Sequence, residues 1–156
     1  MRLVVEETDK ERRDRELGEL LQEMRVAITG VQVLFAFLLT VPFSQRYTTI
    51  DAEQKRVYLA AVLAAAASSL LLIAPAANHR LLFRDGTKEH LLRAANRLVI
   101  AGLFTLALGI GLSLYLVTTI VYDDTLAAVL ATAVGVLTVF TWFVFPKLLK
   151  EDSADD

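Results

Sequence analysis

The chain has 156 residues, enough for one domain, and 55% of them are hydrophobic, with a mean hydropathy of +0.50. A formal net charge of −2 is too small to draw it to nucleic acid, and the absence of cysteine removes disulfides and thiolate metal sites. The apolar excess lies in four blocks without a charge: Val26 to Phe43 (18 residues), Val57 to Ala77 (21), Leu98 to Tyr122 (25) and Thr125 to Phe145 (21).

A spanning helix needs about 20 apolar residues, so each block qualifies, the first only just. The helices of a soluble bundle would show a polar face every turn or two, and blocks two to four show almost none. The expected fold is all-α: a four-transmembrane-helix bundle over residues 24–146, with spans near 26–43, 57–77, 98–122 and 125–145. Residues 1–23 form an amphipathic, cytoplasmic helical extension of the first helix, and residues 147–156 an acidic, solvated tail.

The N-terminal segment is long and of mixed charge, unlike a cleavable signal peptide. Thr8 and Glu11 are spaced as a capping box, and Leu17, Leu20, Leu21 and Met24 recur at helical spacing. No proline follows until Pro42, so one helix from about Thr8 to about Leu39 is expected. Gly18 and Gly30 are the points where it could bend.

The first span carries polar groups at its entrance. Arg15, Gly18, Gln22, Arg25, Thr29, Gln32, Ala36 and Thr40 follow one another at steps of three or four residues. At about 100° per residue they fall within an arc of about 100°. Gln22, Arg25, Thr29, Gln32 and Thr40 are therefore the candidate functional face. Facing lipid, the Gln32 amide would lack partners, so the stripe should face protein or water. Packing against a neighbouring helix is the plain explanation, and Gly30 would permit close approach. A vestibule or pore with Arg25 at its mouth, or a docking face for a partner, are the sharper ones.

Asp51 and Gln54 offer a second capping box ahead of helix two. That helix is small-sided, with Ala60, Ala61, Ala64 to Ala67, Ser68 and Ser69, which favours close packing. Pro75 removes a backbone bond and should kink or end it. Ser68 and Ser69 have no base nearby in sequence, so a nucleophile is not indicated. Asp85 and Gly86 mark a turn, and Thr87 can cap helix three.

His79 and His90 lie in the middle segment without a carboxylate or thiol at ligand spacing, and read as solvated residues rather than a pH switch or metal pair. Arg80, Arg84, Arg93 and Arg97 are candidate contacts for anionic lipid headgroups. Asp123 and Asp124 make a tight hairpin, with Asp124 the plausible cap of helix four. Ala127, Ala131 and Gly135 form a small-residue row on that helix, and Trp142 and Phe143 sit where an interfacial aromatic belt is expected. No span holds an ionisable residue in its middle, and no phosphate loop, dinucleotide fingerprint or metal motif appears.

Lysine and arginine number thirteen on the side shared by the N-terminus, the middle loop and the C-terminus, against three on the other. The positive-inside rule then places both termini in the cytoplasm of a multi-pass inner-membrane protein.

The segments "ELLQEMRVAITGVQVLFAFLLTVPF" and "LIAPAANHRLLFRDGTKEHLLRAANRL" resemble an uncharacterised family of small four-span membrane proteins, abundant in actinobacteria. The resemblance runs from about Arg15 to about Pro146. It implies a domain of unknown function and no catalytic residue, although some members carry a label of the sodium:proton antiporter type. It places Glu23, Arg25, Thr29, Gly30, Gln32, Pro75, His79 and Arg80 in the family's characteristic segments.

The expectation is a non-enzymatic membrane component, without cofactor or metal. Its partners are the lipid bilayer and a second copy or another membrane protein. The alternative is an oligomeric ion channel or small-solute transporter whose path is lined by the polar face of helix one.

Overall fold

The computed structural model describes residues 9–82, 88–145 and 147–148. The Thr8 cap, the Asp85-Gly86 turn, the Thr87 cap, Arg84, the acidic tail, and the side chains of His79, Arg80 and His90 lie outside the described residues. The described residues form four α-helices: α1 (Asp9–Thr40), α2 (Ala52–Leu82), α3 (Lys88–Val121) and α4 (Asp124–Val139). Two short 3-10 turns, Val41–Phe43 and Gln45–Thr48, join α1 to α2, and a π-helical segment, Phe140–Val144, continues α4.

Among the described residues, four segments are long and apolar enough to cross a membrane: Met24–Phe43, Ala52–Asn78, Arg93–Val121 and Asp124–Val144. The first helix is continuous as its proline-free run requires, and the fold is an all-α four-helix membrane bundle.

Packing centres on α2 and α3, which share the most extensive contact. α1 lies on α2 and touches α3 less. α4 lies on α3, and among the described residues α1 and α4 do not meet. The small side chains of α2 explain its central place. Ala61, Ala64, Ala65 and Ser68 are buried, and Gly109 of α3 comes against Ala64 and Ala65. At Gly102 the approach is closest: an added Cβ would stand 2.8 Å from Cγ of Leu72, itself wholly buried. There the Ser68 hydroxyl donates to the Gly102 carbonyl at 2.8 Å, and Thr105 donates to the same oxygen at 3.0 Å. The two serines that offered no nucleophile thus divide. Ser68 joins two helices, and the buried Ser69 hydroxyl has no partner among the described residues.

One sequence expectation is narrowed and one is corrected. Of the two outcomes expected at Pro75, a kink or an end, the end does not occur, and α2 continues to Leu82. The proline ring is fully buried, and close packing on a neighbouring helix tolerates the lost backbone bond. The cap of α4 is Asp123 rather than Asp124. Asp123 is extended (φ −146°, ψ 166°), and its carboxylate accepts from the Leu126 N–H at 2.9 Å, whereas Asp124 is already the first helical residue. The Asp51 box forms as expected. Asp51 Oδ1 accepts from the N–H groups of Glu53 and Gln54, each at 2.8 Å, and Gln54 Oε1 accepts from the Asp51 N–H at 3.2 Å.

Candidate functional site

The α1 helix has two faces of similar spacing and opposite chemistry. Met24, Val31 and Leu38, seven residues apart, are buried. Val31 packs with Leu72 and Leu106, and Leu38 with Tyr58, Ala61, Ala65 and Leu116. Seven residues is nearly two helical turns, so one apolar stripe stays on the bundle along the span.

The polar stripe falls on the other side. Gln22, Arg25, Thr29, Gln32, Ala36 and Thr40 are all exposed. Arg15 and Gly18 continue the exposed line toward the N-terminus, with Arg15 Nη1 3.8 Å from Glu19 on the same helix. Among the described residues no helix of the same chain covers the stripe.

The stripe's hydrogen-bonding groups are not equal. The Thr29 hydroxyl donates to the Arg25 carbonyl at 2.9 Å, and that of Thr40 to the Phe37 carbonyl at 2.7 Å. Both are satisfied by their own helix. The Gln32 amide, with two donors and an acceptor, has no partner among the described residues. It lies eight residues past Met24, or about 12 Å into a hydrocarbon core about 30 Å thick. Arg25, one residue past the start of the span, is shallow enough for its guanidinium to reach the headgroup layer.

The other outer helix shows what lipid-facing surface looks like here. The exposed side of α4 is Leu126, Val129, Leu130, Val136, Leu137 and Phe140. Its Thr138 and Thr141 hydroxyls return to their own helix carbonyls. Of the two outer helices, only α1 turns an amide outward at mid-membrane.

Three further features surround this face. Where α1 and α4 fail to meet, a groove of about 400 Å³ lies over α3, lined by Ala27, Gly30, Leu34, Leu106 and Trp142. Another, of about 370 Å³, runs between α3 and α4 past Gly111, Tyr115, Ala131 and Gly135. The small-residue row on α4 is thus tight only at Ala127, which is fully buried, and open at Gly135. A small pocket of about 90 Å³ at the far end is lined by Asp51, Glu53, Gln54, Thr119 and Asp124. Among the described residues no three His, Cys, Asp or Glu side chains are placed to hold a metal.

Arg93 and Arg97 are exposed at the start of the third span, where headgroups lie. The two grooves went unread in the sequence, because their walls are ordinary apolar residues whose distinguishing property is what fails to touch them.

No curated protein and no solved structure matches the chain. One family does, over residues 6–146, nearly the whole length and all four spans. The chain therefore belongs to the family of unknown function DUF6328.

Proposed function

We propose that the protein is a non-enzymatic component of the plasma membrane that works by assembling with another membrane helix through the polar face of α1. The observation that carries this reading is the unpartnered, outward-facing Gln32 amide at mid-span. Lipid tails offer such a group nothing, and an interhelical hydrogen bond satisfies it.

The same outward direction supports one alternative. Several copies arranged round an axis would bring their stripes together as a wet path, with a ring of Arg25 at its cytoplasmic mouth favouring anions. A single chain turns the stripe away from its own bundle, so transport along it requires the oligomer.

The test is what touches position 32 in living cells. A photoreactive amino acid there should give protein adducts, while one at Val26, 78% exposed, should give lipid adducts only. Lipid adducts alone at 32 would overturn the reading. Labelling of a cysteine at 32 by a water-borne maleimide would favour the wet path.

A further inference from the structure

Resting on that reading, we infer that the helix docked on this face is a second copy of the same chain, its α1 parallel to the first and the two Gln32 amides paired across a two-fold axis. Gln22, Arg25, Thr29, Gln32 and Ala36 are separated by three, four, three and four residues. That alternation is the repeat by which two helices keep one seam in contact as they wind round each other. The buried seam of Met24, Val31 and Leu38 has the same seven-residue period, and α2 and α3 already pack on it at Val31 and Leu38. The helix therefore carries a second seam, which no described residue of the protomer occupies.

Self-complementarity selects a copy of this chain. A primary amide offers both donor and acceptor, so two glutamines related by a two-fold axis satisfy each other with a pair of N–H···O bonds. A carboxylate or a lysine in that place would not. Both copies insert under the same lysine and arginine bias, so they run parallel, and an axis along the membrane normal puts equal depths opposite each other.

Residues around Gln32 suit close approach. Ala36 is small, and the hydroxyls of Thr29 and Thr40 are already bonded to their own helices. The like charges of the two Arg25 side chains meet only at the edge of the span, where both reach water and headgroups. Contact accordingly centres on Thr29 to Ala36.

The absence of cysteine makes the test direct. Single cysteines at positions 26, 29, 32, 33, 36 and 37 are introduced into the full chain, reconstituted in lipid vesicles and oxidised with copper phenanthroline. Disulfide-linked dimers should dominate at 29, 32 and 36 and be scarce at 26, 33 and 37, exposed positions that share one flank of the stripe and are turned away from its centre. With the reporter at 36, Gln32→Leu should weaken dimerisation about three- to thirty-fold, and Gln32→Asn should retain most of it. Crosslinks strongest at 26, 33 or 37, an unchanged dimer in Gln32→Leu, or a native mass above two copies would overturn the dimer. No self-crosslinking, together with protein adducts at 32 in cells, would overturn the second copy and leave the partner reading standing. Lipid adducts alone at 32 would remove both.

Discussion

The Tyr58 hydroxyl donates at 3.0 Å to the carbonyl of Leu38, twenty residues earlier and buried. In a continuing helix that carbonyl would receive the N–H four residues on, and that residue is Pro42, which has none. The proline ending α1 thus creates an orphan acceptor inside the bundle, and a side chain of α2 fills it. Tyr47, from the connecting turn, sets its ring edge-on to Tyr58 at 5.6 Å, with the Lys55 ammonium 5.8 Å from the Tyr47 ring centre. Together these groups fix the end of α1, and hence the rotation of the helix that carries Gln32. Tyr58→Phe should lower stability by about 1–2 kcal/mol, read from thermal unfolding in detergent. In a Pro42→Ala background the loss should shrink, because the substituted residue supplies the N–H that proline lacks. Equal losses in both backgrounds would show that the proline is not the cause of the orphan.

At the scale of the element, the two aspartates before α4 separate a cap from a first-turn residue. Asp123→Ala removes an oxygen that holds the Leu126 N–H and should cost about 0.5–2 kcal/mol. Asp124→Ala removes only a charge near the helix N-terminus and should cost well under 1 kcal/mol. Thermal unfolding of the two variants decides the assignment, and a larger loss at Asp124 would reverse it. This pair also marks where the sequence stops being informative. Two neighbouring identical residues differ only in backbone angles, which the alphabet does not record. The Asp51 cap was legible because its partner, Gln54, lies in the same short stretch. The spans were legible for a similar reason, since hydropathy belongs to the segment itself.

What covers a face is a property of the fold. Periodicity grouped Arg25, Thr29, Gln32 and Thr40 on one side of α1. It did not say whether that side or the side of Met24, Val31 and Leu38 meets α2. In a soluble helix the polar side would face out by default. In lipid the polar side seeks protein or water, which the pattern alone could not tell apart, and the described helices of the protomer leave it uncovered. Of the kink or end expected at Pro75, the end is absent for a related reason. The cost of a proline in an isolated helix does not carry over to one packed against a neighbour.

For the whole molecule, the lengths of the helices divide inside from outside. α1 has 32 residues and α3 has 34, about 50 Å each, while the membrane core is about 30 Å. Both helices extend before their spans on the same side, α1 by fifteen residues ahead of Met24 and α3 by five ahead of Arg93. On the opposite side the connections are tight: two 3-10 turns join α1 to α2, and Tyr122 and Asp123 alone join α3 to α4. By chain order, thirteen of the sixteen lysines and arginines belong to the N-terminal, middle and C-terminal segments, and the positive-inside rule predicts that their side is cytoplasmic. In intact cells, a membrane-impermeant maleimide should therefore label cysteines placed at Ser44 and Asp124. It should label one at position 85, between α2 and α3, only after permeabilisation. Labelling at 85 in intact cells would invert the molecule. The exposed stripe and its Gln32 pairing would survive that inversion, because two copies inverted together remain parallel. The placing of Arg25 at a cytoplasmic mouth would not, so this experiment bears on the pore alternative and leaves the dimer to the crosslinks.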